Sequence, residues 1–360
     1  MFNFTALPPL SLYIHVPWCV RKCPYCDFNS HQAGETIPET AYIDALIRDL
    51  EQDLPLVWGR TIQSIFIGGG TPSLFSAEAY DRLFSALRAL LPIRADAEIT
   101  LEANPGTFEA ARFTDYRAVG INRLSIGIQS FNGDSLTALG RIHDGKQAIR
   151  AAEIAHHAGF DNFNLDLMFG LPKQTAELAR KDVEMAITLE PTHISYYQLT
   201  IEPNTFFHQS PPPLPDDEPI NDWQLANQQR LAEAGYLQYE VSAYAKKGCQ
   251  SRHNLNYWQF GDYLGIGAGA HGKVSNAATQ SIERIVKQKQ PQAYLDLVDR
   301  PQRILKQEQV GINDIGFEFM LNALRLTDGF APSLFMQHCG MPLATIKNQL
   351  AEAEERGLIE

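Results

Sequence analysis

Short apolar segments alternate with longer segments of helical periodicity between residue 11 and about residue 200, and this alternation limits the possible folds more than any other feature. Six strands are predicted, at residues 12–16, 62–67, 98–102, 123–128, 162–168 and 193–199. Helical segments between successive strands indicate parallel pairing, because parallel strands need long crossover connections. Six units are too few for a closed eight-stranded barrel. We therefore predict an α/β fold with a partial (β/α)6 barrel, whose sites lie at the carboxyl ends of the strands.

The remainder of the chain is less regular, and three parts are predicted. Residues 1–210 would form the partial barrel. Residues 211–290 would contain an exposed connector (PPPLPDDEP), one extra strand and a region rich in glycine and aromatic residues. Residues 291–360 would form a small, mainly helical domain, with its clearest helices at 311–326 and 343–356. A further strand could begin at the last residues, so the sequence leaves open whether this domain is complete.

Charge and cysteine content narrow the class of protein. The formal net charge is -12, from 30 basic and 42 acidic residues, which argues against a broad electrostatic surface for nucleic acid. The first 18 residues lack a basic segment, and prolines interrupt their apolar run, so we expect neither a signal peptide nor a membrane anchor. Five cysteines, three of them within eight positions, make a poor disulfide framework. These features favour a cytoplasmic protein with a metal or redox role for the three cysteines.

Cys19, Cys23 and Cys26 form a Cys-x3-Cys-x2-Cys motif in the loop after the first strand. Thiolates from one loop can hold an iron–sulfur cluster or a tetrahedral zinc ion. Three thiolates on a four-iron cluster leave one iron open to a small molecule. A structural zinc site needs a fourth protein ligand, which His15 or His31 could supply. The competing interpretation is therefore a zinc-stabilised binding protein.

The segment at residues 13–26, YIHVPWCVRKCPYC, resembles the signature of radical S-adenosylmethionine (SAM) proteins. It is most similar to the branch that contains oxygen-independent coproporphyrinogen III oxidases and related heme chaperones. The resemblance implies a [4Fe–4S] cluster held by Cys19, Cys23 and Cys26, with SAM bound to the fourth iron. Reductive cleavage of SAM is then chemistry that the cofactors supply.

The same resemblance implies a set of SAM-binding residues at successive strand ends. Glycines at a strand end let the backbone approach a ligand closely, and the GGGTP turn at 68–72 would bind the methionine amino group. A guanidinium suits a carboxylate, and acceptors suit ribose hydroxyls and an ammonium group. The full set implied is Tyr13, Tyr25 (through its nearby backbone), Gly69, Gly70, Thr71, Glu102, Gln129, Arg141 and Asp166. For both tyrosines, packing in the core is the structural alternative.

Two departures distinguish this chain from the oxidase branch. The oxidases carry a fourth cysteine two residues after the third, where this chain has Phe28, and they have a longer N-terminal arm. In addition, the segment RHNLNYW at 252–258 resembles the HNxxYW motif of the chaperone branch. Imidazole is a good axial ligand of heme iron and aromatic rings can pack on a porphyrin, so the heme candidates are His253, Asn254, Tyr257 and Trp258. The structural alternative is that His253 bonds locally and the aromatic rings fill the core.

The resemblance therefore implies a heme chaperone that binds heme and transfers it to acceptor apoproteins, with respiratory cytochromes as candidate acceptors. The cofactors implied are a [4Fe–4S] cluster, SAM and heme. The enzymatic alternative is oxygen-independent coproporphyrinogen III oxidation, which the two departures disfavour. The sequence does not decide whether the chain forms a homodimer or cleaves SAM.

Overall fold

The computed structural model describes residues 2–106 and 110–359. Its strands are β1 (Leu10–Val16), β2 (Trp18–Cys19), β3 (His31–Gln32), β4 (Ile62–Gly69), β5 (Ile93–Ala103), β6 (Arg123–Gln129), β7 (Phe163–Phe169), β8 (His193–Gln198), β9 (Leu237–Glu240), β10 (Ala243–Ala245), β11 (Asp262–Ile266), β12 (His271–Asn276), β13 (Ser281–Lys287) and β14 (Ile304–Gln309). Twelve of these strands form one mixed sheet in the order β14-β13-β12-β11-β1-β4-β5-β6-β7-β8-β10-β9, and β2 pairs with β3 separately.

Helices connect and cover these strands. They are α1 (Glu39–Val57), α2 (Ala77–Leu90), α3 (Phe113–Ala118), α4 (Gly133–Ala138), α5 (Gly145–His157), α6 (Ala176–Thr188), α7 (Phe206–Gln209), α8 (Asp217–Glu233), α9 (Arg252–Trp258), α10 (Pro291–Leu297), α11 (Ile315–Ala323), α12 (Pro332–Cys339) and α13 (Lys347–Glu355). Within the described residues, no helix is long and apolar enough to cross a membrane.

The six predicted strands are confirmed as β1 and β4 to β8, which pair in chain order and in parallel. Their side chains alternate between two environments. Leu12 and Ile14 of β1 are fully buried against the helical layer, where α1 contributes Tyr42 and Leu46 to the same core. The opposite face of β1 carries Ser11, whose hydroxyl bonds to a serine of β4. The concave face of the sheet is therefore polar, and this is the face on which a ligand site can form.

Additional strands extend the sheet at both ends. β11 pairs in parallel with β1, β12 to β14 continue antiparallel, and β10 and β9 follow β8 at the other end. The sequence predicted only one extra strand in 211–290, which corresponds to β9 and β10, and helices after 291. It therefore missed β11 to β13 and, after residue 291, β14. That strand is almost fully exposed and reads Ile-Leu-Lys-Gln-Glu-Gln, without the apolar alternation that marks a half-buried strand. In the described part of the chain, β14 and β9 do not pair, so the barrel is open, as predicted.

The RHNLNYW segment forms the short helix α9, which packs inside the concave face of the sheet. Its N-cap is Ser251, whose hydroxyl accepts the Asn254 N–H at 3.3 Å. The buried carboxylate of Glu98 accepts the His253 N–H at 3.2 Å. The Asn256 amide donates to the hydroxyl of Ser11 near the start of β1. These contacts place α9 at the amino-terminal half of the strands, beneath their carboxyl ends.

The predicted C-terminal helices are present in shortened form as α11 and α13. Phe319 of α11 is buried in a second, smaller core that also contains Phe335 and Phe260. The N-terminal residue Phe4 joins this core as well. The C-terminal segment therefore packs as a small unit beside the barrel.

Candidate functional site

A cavity of about 340 Å³ lies at the carboxyl ends of the parallel strands. The cysteine loop forms one wall, the strand ends form the opposite wall, and α9 contributes to the inner end. Of the predicted cluster and SAM residues, the structure brings together on this cavity Cys19, Cys23, Cys26, Tyr25, Gly69, Gly70, Thr71, Glu102, Gln129, Arg141 and Asp166. Tyr13 is the one member of the predicted set that the cavity lining does not include.

The cysteine loop is held in shape by its own backbone. The Cys26 N–H donates to the Cys23 carbonyl at 3.1 Å, and the Ala33 N–H donates to the Cys19 carbonyl at 2.8 Å. The ammonium group of Lys22 donates to the carbonyls of Phe28 and Ser30, at 3.1 and 3.2 Å. All three thiols are free and line the cavity. The loop therefore presents three sulfur ligands from one preformed turn.

A chain of hydrogen bonds runs around the cavity between two of the cysteines. Arg141 donates to Cys23 Sγ at 3.6 Å and to Asn104 Oδ1 at 2.8 Å. The Asn104 amide donates to the Thr71 hydroxyl at 3.0 Å. Thr71 in turn bonds to Cys19: burial raises the pKa of the Cys19 thiol, and the bond with Thr71 opposes that increase. One network thus links Cys19 and Cys23 to Thr71 and Arg141, two of the side chains that the resemblance assigns to SAM binding.

The glycine turn is packed too closely for any side chain. A Cβ atom on Gly69, whose φ is +116°, would lie 2.6 Å from the ring of His15, and one on Gly70 would lie 2.5 Å from the Trp18 carbonyl oxygen. The N–H groups of Gly69, Gly70 and Thr71 donate to Glu102, the Val16 carbonyl and the Trp18 carbonyl. These donors are engaged within the protein, so the turn can offer a ligand acceptors and close backbone approach rather than donors.

Two buried carboxyl groups, Glu102 and Asp166, lie on the cavity wall. Burial raises the pKa of Glu102 to about 7, with the charge of Asp166 acting in the same direction and the Gly69 N–H opposing both. Burial also raises the pKa of Asp166, against hydrogen bonds that include Asn164 and Ser125. Two desolvated carboxyls favour the arrival of a positive charge, which would stabilise their ionised forms.

Gln129 and Arg141 complete the wall. Gln129 ends β6 with a left-handed φ of +68°, and its Oε1 accepts the hydroxyl of Tyr197 at 2.8 Å. Arg141 also donates to the Gly127 carbonyl at 2.7 Å. Both side chains are therefore held in place before any ligand arrives.

The two predicted tyrosines differ in position. Tyr25 lines the cavity, and its ring lies 6.3 Å from that of Phe207 on α7. Tyr13 points below the glycine turn, where its hydroxyl donates to His15 Nδ1 at 2.9 Å and its ring lies 6.4 Å from that of Phe66. A contact between Tyr13 and SAM stays a prediction.

The two histidines that could complete a zinc site both make other contacts. Across residues 2–106 and 110–359, no group of three His, Cys, Asp or Glu side chains is placed to hold one metal ion. His15 has both nitrogens engaged, since Nε2 donates to the Asn29 carbonyl at 2.8 Å while Nδ1 accepts from Tyr13. His31 contacts the Asn29 side chain at 3.4 Å. Three thiols without a fourth partner suit a cluster, in which each thiolate binds a different iron atom.

The four heme candidates lie in two different environments. Asn254 and Trp258 line the cavity. His253 is only 6% exposed, with its Nδ1 3.2 Å from the Ser64 hydroxyl and its ring 5.0 Å from that of Phe66, and burial lowers its pKa to about 3. The hydroxyl of Tyr257 bonds to that of Tyr263 at 2.9 Å. Two members of the motif therefore face the cavity, and two pack among neighbouring side chains.

Sequence reasoning missed several residues on the cavity wall: Ser30, Asn104, Ser125, Ser195, Tyr197, Glu240 and Ser242. Strand periodicity could have found some of them. Ser195 and Tyr197 share one face of β8, and Asn104 stands two residues after Glu102, just past the end of β5, so the same spacing extends to it. Glu240 had no such signal, because β9 is a short edge strand.

The cysteine loop, the glycine turn and the polar side chains at the strand ends are together characteristic of a radical SAM protein. Comparisons with known proteins agree with this class. The sequence profile of the Radical SAM superfamily matches residues 13–186. Heme chaperone HemW of Escherichia coli strain K12 is 50% identical over 98% of this chain and 92% of its own length. Heme chaperone HemW of Haemophilus influenzae is 51% identical over 98% of this chain and 92% of its own length. Heme chaperone HemW of Bacillus subtilis is 33% identical over 97% of this chain and 92% of its own length.

Among solved structures, coproporphyrinogen III oxidase (HemN) from Escherichia coli, described as a radical SAM enzyme, superposes with a TM-score of 0.82. It is 25% identical, over 98% of this chain and 85% of that chain. The chain belongs to the radical SAM superfamily and, within it, to the family of the heme chaperone HemW. Membership of this superfamily implies a [4Fe–4S] cluster and SAM.

Proposed function

We propose that this protein is a cytoplasmic heme chaperone that binds heme and transfers it to acceptor apoproteins. The observation that carries the proposal is the identity of 50% with the heme chaperone HemW of Escherichia coli, over nearly the full length of both chains. The residue at the position of the fourth cysteine of the oxidases is Phe28, which lines the cavity and is 59% exposed. A phenyl ring cannot replace a thiol chemically, which supports the chaperone over the oxidase.

Cys19, Cys23 and Cys26 would hold the [4Fe–4S] cluster, and the cavity beside them would hold SAM. When bound, the cluster supplies one-electron chemistry and an open iron for the ligand. The chain's own residues fix the geometry: Arg141 suits the SAM carboxylate, and Glu102 with the acceptors of the glycine turn suits its ammonium group. Gln129 at the end of β6 and Asp166 within β7 would contact the ribose and adenine of SAM.

Heme would be contacted by the motif on α9. Asn254 and Trp258 already reach the cavity, and the Trp258 ring is covered on one side by the guanidinium of Arg325 at 4.3 Å. His253 would have to leave its bond with Ser64 to reach an iron atom. The aromatic ring of Trp258 is therefore the member of the motif best placed to pack on a porphyrin without a change of fold.

A hemin titration tests this function. We expect saturable binding with a shifted Soret band for the wild type, and a weakened shift for Trp258→Ala. Trp58→Ala is the matched control, since Trp58 is 80% exposed at the end of α1. A wild-type protein without saturable binding would refute the chaperone assignment. Consumption of coproporphyrinogen III in the presence of SAM and a reductant would instead establish the oxidase.

A further inference from the structure

Ser30 is a buried serine at the end of the cysteine loop whose hydroxyl faces the thiols. Its Oγ lies 3.7 Å from Cys26 Sγ, and the residue is 4% exposed. The hydroxyl is thus within bonding reach of the Cys26 sulfur.

The backbone fixes Ser30 in this orientation. Its N–H donates to the Phe28 carbonyl at 2.7 Å, and its carbonyl accepts from Lys22 at 3.2 Å. The following residue, His31, donates its N–H to the Pro17 carbonyl at 2.7 Å. The backbone on both sides of Ser30 is therefore held beside the cysteines, and burial of the residue leaves its hydroxyl little space elsewhere.

Each of the three cysteines has at least one polar side chain within reach of its sulfur. Thr71 serves Cys19, Arg141 serves Cys23, and Ser30 serves Cys26. Thr71 and Arg141 also belong to the predicted SAM contacts. Ser30 does not, so its effect on the sulfur atoms can be tested apart from SAM binding.

We propose that Ser30 is a positioning residue whose hydroxyl donates a hydrogen bond to the Cys26 thiolate and raises the reduction potential of the cluster. This inference rests on the cluster named in the proposed function. A thiolate bound to iron carries no proton, so the hydroxyl must be the donor. Reduction adds one negative charge to the cluster, and a donor to sulfur stabilises the reduced form more than the oxidised form. Removing the hydroxyl should therefore make the potential more negative.

The test compares Ser30→Ala with Ser30→Thr, which keeps a hydroxyl at the same carbon. Ser275→Ala is the matched control, because Ser275 is also buried but bonds to Asp262, away from the cysteine loop. Iron and sulfide content are measured on anaerobically reconstituted proteins, and the reduction potential is measured by a titration followed by EPR. We expect a more negative potential for Ser30→Ala, and wild-type values for Ser30→Thr and Ser275→Ala.

The outcomes separate this inference from the cluster itself. If Ser30→Ala loses iron while Ser30→Thr retains it, the hydroxyl holds the cluster in place rather than setting its potential, and the proposal fails. A fully loaded Ser30→Ala protein at the wild-type potential would overturn it, as would a Ser30→Thr protein that behaves like Ser30→Ala. A wild-type protein that takes up no iron and sulfide would instead refute the cluster on which the inference rests.

Discussion

The cysteine loop and the helix α9 are both motifs recognisable in the sequence, but the fold uses them differently. The loop directs all three of its thiols toward a cavity, and its own backbone satisfies the polar groups around them. The helix directs Asn254 and Trp258 to the same cavity and buries His253 among its neighbours. A thiolate can bind an iron atom and still accept its hydrogen bond from the protein, whereas His253 would first have to give up its bond with Ser64.

The largest effect expected is the loss of the cluster in Cys23→Ser. A serine hydroxyl is a harder ligand than a thiolate, so iron, sulfide and the brown absorbance of the anaerobically purified protein should fall to near background. Cys249→Ser is the control, because Cys249 lies outside the loop and should keep the full iron load. An undiminished iron content in Cys23→Ser would contradict the assignment of the cluster to the cysteine loop.

The next effect concerns Arg141, which links the loop to the cavity wall. Arg141→Gln removes a charge-assisted contact worth about 1.5–3 kcal/mol, so SAM binding measured by calorimetry should weaken by roughly 10- to 150-fold. Arg150→Gln is the matched control, since that arginine is on the surface of α5, paired with Glu153. Equal SAM affinity in both variants would show that the cavity holds SAM in another way.

The pH dependence of SAM binding should report the carboxyl group of Glu102. Its pKa of about 7 means that it holds a proton below that pH in the ligand-free protein. An ammonium group binds the ionised form, so the proton must leave, and affinity should fall by up to about tenfold per pH unit below pH 7. Glu102→Gln should bind more weakly and lose this dependence. An unchanged pH profile in Glu102→Gln would contradict the role assigned to the carboxylate.

The smallest effect expected is on stability, from the buried side of α9. His253→Leu removes the contact with Ser64, so the free energy of unfolding should fall by about 1–3 kcal/mol in a denaturant titration. His157→Leu is the control on the exposed side of α5. The packing of His253 also predicts that the Soret shift of added hemin persists in His253→Leu. A lost shift would mean that α9 opens and that His253 ligates the iron.

Much of the fold could be predicted because parallel strands leave strong signals. Buried strands such as Ile62–Gly69 read as apolar runs, and the helices between them fix the pairing order. The strand Ile304–Gln309 was missed because an exposed edge strand carries no apolar alternation. The orientation of α9 could not be predicted from the sequence. A helix of seven residues that packs on several sides has no polar face to indicate which side is exposed to solvent.

The candidate site could be predicted from the sequence where the spacing of residues indicates their chemistry. The spacing of Cys19, Cys23 and Cys26 was enough to identify the loop, and the resemblance supplied the strand ends. Ser30 carried no such signal, because short polar residues are common in loops, and the spacing of Asn104 after Glu102 does not show which side chain it contacts. Their roles depend on distances between elements far apart in the chain, such as the 2.8 Å contact between Asn104 and Arg141.

The central claim is that three thiolates hold a four-iron cluster with one iron open to SAM. Mössbauer spectra of the anaerobically reconstituted, ⁵⁷Fe-labelled protein test it most directly. We expect the addition of SAM to change the signal of one iron of the four and to leave the other three unaltered. Spectra that remain the same with and without SAM, or a protein that binds zinc in place of iron and sulfide, would contradict it.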